Sequence, residues 1–137
     1  MITKKIIALD VGDAWIGVAH TDPDLKIVFP YQTWKAYEFD KKFAAYLKAF
    51  QVSTVVIGLP LTLSGNRSQQ TEKVQQWVEQ KKKDFPHITF IFEDERLSSQ
   101  FASHISLQNM HKSVHSNHAV AAAIILEHFV KKNLFNK

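Results

Sequence analysis

Two stretches of this sequence put carboxylates where an apolar run ends. Asp10 closes the run Ile6–Leu9. Glu93, Asp94 and Glu95 follow directly on Ile88–Phe92, and Arg96 comes next. An acid at the end of a buried strand is costly unless it is paired or binds a metal. Carboxylates from two separate strand ends can hold one or two hard cations. Such cations polarise phosphate, activate water and stabilise a leaving oxygen. Alternation along an extended strand sends Glu93 and Glu95 to one face and Asp94 to the other. Arg96 can pair with one of them. Plainer readings stand beside these: Asp10 caps a turn with Gly12 and Asp13, and the acidic run is a solvated strand end.

The histidines are unevenly spread, with five of the seven between His104 and His128. His111, His115 and His118 are four and three residues apart, a spacing that can gather a metal on one helix face. Against this, Ser113, Val114, Ser116 and Asn117 are poor helix-interior residues, and no acidic general base lies in the stretch. Surface roles fit better, with His111 or His115 near phosphate when protonated.

The elements that must position these groups follow from periodicity. Lys4–Ala19 reads as two apolar runs around a turn at Val11–Asp13, hence a hairpin. Lys26–Trp34 is a third strand, in which Pro30 requires an edge or a bulge. Phe39, Phe43, Leu47 and Phe50 have helical spacing over Glu38–Phe50. Ser53–Gly58 is a short continuous apolar run, typical of a strand buried on both faces. A loop with Pro60 and Gly65 leads to a polar helix over about Ser68–Lys83, its inner side formed by Val74, Trp77 and Val78. His87–Phe92 is expected to be another buried strand. Ser98–Leu107 is expected to be helical and Asn109–Ser116 a polar loop. Asn117–Lys132 is a strong helix with Ala119, Ala122, Ala123, Leu126 and Val130 inward.

The order is therefore βββαβαβαα, an α/β fold with a mixed sheet flanked by helices. In such sheets ligands sit outside the carboxyl ends of the strands. Asp10, Glu95 and the start of the last helix are expected to converge there.

The chain has 137 residues, 45% of them apolar, which fits one domain spanning residues 1–137. Cysteine is absent, so disulfides, thiolate zinc sites and cysteine nucleophiles are excluded. Asp10 interrupts the apolar start too early for a signal peptide, and no run approaches the ~20 residues needed to span a bilayer. A cytoplasmic protein without a membrane partner is expected. A net charge of +4 is compatible with nucleic acid and does not require it.

Four segments together carry a resemblance. They are Ile7–Ala19 with Asp10, Gly12 and Gly17; Val56–Leu61 with Gly58, Pro60 and the later Gly65; Glu93–Ser99; and the closing stretch His118–Glu127. In order and spacing they resemble the YqgF family of RuvC-like Holliday junction resolvases, also described as pre-16S ribosomal RNA nucleases. The resemblance covers nearly the whole chain. It implies a ribonuclease H-like fold and a metal-dependent phosphodiesterase, a hydrolase of ester bonds using Mg²⁺ or Mn²⁺. It also implies a nucleic-acid substrate, either precursor ribosomal RNA or branched DNA, and a link to ribosomal particles. The family's first acid falls on Asp10 and the glutamate of its Asp-Glu-Arg motif on Glu95. Its last acid falls on His118, which is not an acid.

That departure makes the site less negative. Imidazole suits Mn²⁺ better than Mg²⁺, and a helix's first turn disfavours a cationic ring, so a neutral His118 is expected to complete the metal shell or orient water. Trp15 stands where the family has a basic residue and can stack on a base or pack on the sheet. Arg67, after the Gly58–Gly65 loop, and Lys112, before the last helix, are the expected phosphate contacts. Lys81–Lys83 and Lys131–Lys132 are better read as cations at helix ends. The aromatic segment Phe29–Phe43 is expected to be mostly core. Two other readings remain: a nucleic-acid-binding or ribosome-assembly protein eroded at His118, and a nucleotide-binding domain of actin-like kind. The latter would need a second domain to close on the nucleotide, and P-loop and Rossmann motifs are absent.

Overall fold

A computed structural model of the chain describes residues 4–22, 27–61, 66–94 and 114–135. The hairpin forms as expected, from β1 (Lys5–Val11) and β2 (Trp15–Asp22), paired antiparallel with Val11 opposite Ile16. Its turn closes through the Gly12 amide on the Trp15 carbonyl at 3.0 Å. A side chain at Gly12 would put Cβ 2.9 Å from that same oxygen, so the turn needs glycine.

Next comes β3 (Ile27–Lys35), antiparallel to β2 and at the sheet edge. Its register slips between Gln32 and Pro30, leaving Tyr31 as the extra residue of a bulge. Edge and bulge together accommodate a residue with no amide to donate. A 3-10 turn (Ala36–Glu38) leads into α1 (Phe39–Ala49), with Asp40 in its first turn and Lys48 in its last, as the helix dipole favours. Strand β4 (Val52–Leu59) runs parallel to β1. Helix α2 (Gln69–Asp84) starts at a reciprocal cap: the Ser68 hydroxyl accepts from the Thr71 amide at 3.3 Å, and the Ser68 amide donates to the Thr71 hydroxyl at 3.0 Å. Strand β5 (Thr89–Asp94) is parallel to β4, and α3 (Val114–Val130) closes the described chain with a π-helical turn, Lys131–Phe135.

The sheet order is β3-β2-β1-β4-β5. Helices α1 and α2 cover one face, where Phe39, Phe43, Tyr46, Val74 and Val78 meet Ile7, Leu9, Ile16, Val18, Val55 and Ile57. Helix α3 covers the other, where Ala122, Ile125, Leu126, Phe129 and Val130 meet Ala8, Ala19 and Val56. Among the described residues no helix is long and apolar enough to cross a membrane.

Three expectations need correction. Strand β5 is half-buried rather than buried, because among the described residues it has one strand neighbour, β4. Helix α3 begins at Val114, three residues before Asn117. Packing of its small and branched residues on the sheet outweighs the poor propensities of Ser116 and Asn117. The Phe29–Phe43 segment is core only in part: Trp34, Phe39 and Phe43 are buried, while Phe29 and above all Tyr37 are exposed. The expected helix over Ser98–Leu107 lies outside the described residues.

Candidate active site

Alternation along β1 puts Ala8 against α3 and Leu9 against α1 and α2, so Asp10 faces α3. Its antiparallel partner on β2 is Gly17. A Cβ at Gly17 would lie 2.0 Å from the carbonyl oxygen of His118 and 2.3 Å from its carbonyl carbon. The α3 backbone thus rests directly on β2 at this one point, which only glycine permits. The consequence is local and chemical. His118 Nδ1 comes to 3.9 Å from Asp10 Oδ2, and both side chains keep about a quarter to a third of their surface exposed.

At 3.9 Å the two atoms are too far apart to hydrogen-bond each other. They are well spaced to share a third partner. Ligand atoms each about 2.1 Å from one cation lie up to about 4.2 Å apart, so this carboxylate oxygen and imidazole nitrogen fit a single divalent ion. A mixed oxygen and nitrogen donor set favours Mn²⁺ over Mg²⁺. His118 is the fifth residue of α3, in its second turn rather than its first. The dipole's effect is confined to the first turn, so the expected influence of the helix start on this ring is corrected.

Across the sheet the row continues. Leu9 pairs with Ile57, which sets Gly58 beside Asp10, and Gly58 pairs with Glu93. Gly17, Asp10, Gly58 and Glu93 therefore form one row beneath α3. Glu93 is buried and its carboxylate accepts from Lys132 Nζ at 2.9 and 3.0 Å. It anchors the far end of α3 to β5 while His118 sits over Gly17 at the near end.

Glu95, Arg96 and Lys112 lie outside the described residues, as does His111. Among the described residues no three His, Asp or Glu side chains gather as a metal cluster. Arg67 lies just ahead of α2, where its guanidinium pairs with Glu72 at 3.1 Å and hydrogen-bonds Gln75. Trp15 starts β2 opposite Lys35, whose Nζ is 6.0 Å from the indole centroid. Lys81 is a structural cation, as expected: it bonds Asp40 at 2.6 Å and lies over the Phe39 and Trp77 rings. The roles of Gly17 in seating α3 and of Lys132 in holding Glu93 were not legible from motifs. The signal for Gly17 was a lone glycine inside a strand pattern, which marks a close backbone approach.

A mixed sheet in this strand order, with an acid at the carboxyl end of its central β1 and a closing helix set over it, defines a ribonuclease H-like α/β protein. Residues 4–132 match the family model described as "RuvX: Holliday junction resolvase". A Fusobacterium nucleatum protein named "Putative pre-16S rRNA nuclease" is 35% identical, over 93% of this chain and 96% of its own. Proteins of the same name from Chloroflexus aurantiacus and Mesomycoplasma hyopneumoniae are 37% and 32% identical. They cover 95% and 93% of this chain and 88% and 94% of their own. The chain belongs to the RuvX (YqgF) family.

Proposed function

We propose that this chain is a divalent-metal-dependent nuclease that trims precursor 16S ribosomal RNA, acting in the cytoplasm on nucleic acid within ribosomal particles. Nuclease function accords with the family and with the names of its relatives. The observation that carries the metal-dependent reading is the Asp10 carboxylate facing the His118 imidazole at 3.9 Å, both partly open to solvent. Asp10 and His118 would hold the ion, together with Glu95. A bound Mn²⁺ or Mg²⁺ would supply Lewis acidity toward a phosphodiester and a lowered pKa for water. Asp10 contributes a fixed negative charge from a rigid strand end. His118 contributes a nitrogen whose position is set by the seat of α3 on Gly17. Arg67 and Lys112 supply charge to neighbouring phosphates, and a phosphate at Arg67 exchanges for Glu72.

The test pairs cleavage with metal binding. Precursor 16S RNA and a four-way DNA junction are incubated with Mg²⁺ or Mn²⁺, and the Mn²⁺-induced rise in Tm is recorded. Wild type should cut the RNA and prefer Mn²⁺. Asp10→Asn should abolish cutting and remove most of the Tm rise. His118→Asp should restore preference for Mg²⁺. An Asp10→Asn protein that cuts normally defeats the reading. Junction cleavage without RNA cleavage reassigns the substrate. Nucleic-acid binding with no cleavage by any form makes the chain a binding protein.

A further inference from the structure

The β2 start and the β3 end carry an aromatic and cationic group that the site at Asp10 does not use. Trp15 and Lys35 are cross-strand partners. Two residues beyond Lys35, in the 3-10 turn, Tyr37 is 82% exposed, against 43% for the other exposed large apolar side chains, Ile27 and Phe29. Lys35 Nζ lies 6.0 Å from the Trp15 ring centroid and 5.8 Å from that of Tyr37. The ammonium is thus within cation–π range of both rings, and all three residues line a cleft of about 340 Å³ that Asp13 also lines. The Asp13 carboxylate is exposed, with Lys73 Nζ 3.9 Å from it.

Position ties this cleft to Asp10. Ile16 and Trp34 pack toward α1 and α2, so alternation turns Trp15 and Lys35 to the α3 face, the face of Asp10 and Gly17. Trp15 is two residues from Gly17, about 7 Å along the strand, and Gly17 pairs with Asp10. A chain with its phosphate at Asp10 therefore has its adjoining nucleotide within reach of the cleft.

The chemistry selects the occupant. The exposed Tyr37 ring can bind a flat π system, with the half-buried Trp15 beside it, and base–aromatic stacking tolerates any base. Lys35 can donate to a base carbonyl and Asp13 can accept from a base amine. A phosphate inside the cleft would meet the Asp13 carboxylate. We infer that Trp15, Lys35 and Tyr37 form a subsite for one unpaired nucleobase beside the scissile phosphate, so that the substrate is single-stranded at the cut. This rests on the proposed nuclease reading for its cut site, but its binding is measurable without cleavage.

A fluorescein-labelled single-stranded RNA, and the same strand paired to its complement, are titrated with the full chain in EDTA. Wild type should favour the single strand. Tyr37→Ala should weaken single-strand binding about 5- to 150-fold, the range for one lost stack, and leave the duplex unchanged. Tyr37→Trp should bind as wild type. Abasic nucleotides walked along the RNA should find one position that weakens wild type and adds nothing to Tyr37→Ala. Equal affinity of Tyr37→Ala and wild type for the single strand, or equal losses on single strand and duplex, overturns the subsite. Binding that depends on Tyr37 in a protein that cuts nothing leaves the subsite standing and defeats the nuclease reading. Cutting that ignores Tyr37→Ala, with unchanged affinity, does the reverse.

Discussion

The two faces of the sheet are built from different materials. On the α1 and α2 face large rings interlock: Phe39 stacks on Phe43 at 5.1 Å, Trp77 meets Phe39 at 4.8 Å, and Phe85 meets Phe43 at 4.8 Å. On the α3 face the sheet side is small: Ala8 and Ala19 cluster with Ala122, Ile125, Leu126 and Phe129, and Gly17 meets the α3 backbone at His118 and Ala119. Large rings bury much apolar area and hold helices away from the sheet. Small residues bury less and let backbone touch backbone. One face is therefore suited to stability. The other is suited to approach, and it is the approach at Gly17 that brings His118 to Asp10.

Removing a ring should separate these roles most visibly. Phe43 is fully buried among rings, so Phe43→Ala should cost about 3–5 kcal/mol of unfolding free energy, read by urea denaturation. The fraction still folded should keep its Mn²⁺ affinity, since Phe43 lies on the face away from Asp10. Loss of metal affinity in the folded fraction would show that the faces are coupled.

The reciprocal change is smaller in stability and larger in function. Gly17→Ala places a methyl carbon 2.0 Å from a helix carbonyl, and neither backbone can yield locally. Helix α3 must lift, at a cost of about 1–3 kcal/mol. The separation of Asp10 and His118 then exceeds the span of one ion. The Mn²⁺-induced Tm rise should vanish although the protein folds. A variant that retains that rise would show that α3 has a second way to seat.

These contrasts also explain what the sequence made legible. The hairpin, the Pro30 edge bulge and the two crossover helices follow from local signals: turn residues, a missing amide, apolar periodicity. Asp10 was legible because an acid ending a buried run is expensive. The pairing of Glu93 with Lys132, 39 residues apart, was not, because a surface lysine on a closing helix has no local mark of its partner. Nor was the exposure of Tyr37. It sits in a ring-rich stretch whose neighbours Trp34 and Phe39 are buried, and a one-turn 3-10 segment rotates it away from the core. The second-turn position of His118 escaped for a third reason. Helix starts are set by packing on the sheet when propensity is weak.

The smallest effect tests whether the ring face itself responds to pH. His20 lies on that face, its ring 4.6 Å from Tyr31 and its Nδ1 3.0 Å from the Tyr46 hydroxyl. Burial, and then the Lys5 ammonium, push its pKa below the usual 6.5. Burial pushes the Tyr46 phenol well up, with Tyr31 adding to it, so Tyr46 keeps its proton beside a neutral His20. In the unfolded chain His20 titrates near 6.5. Between that value and the lower folded one, the unfolded state binds more protons, so stability rises with pH. His20's contribution is therefore full above about pH 6.5 and is lost as pH falls through the folded value. His20→Gln can still hydrogen-bond Tyr46 but has no proton to gain. Urea denaturation from pH 7.5 to 5 should show wild type losing stability relative to His20→Gln, with the difference confined to the region below 6.5. Parallel curves would mean that the ring face yields enough to solvate the imidazolium, and the contrast between a rigid face and an approachable one would narrow at this end of the sheet.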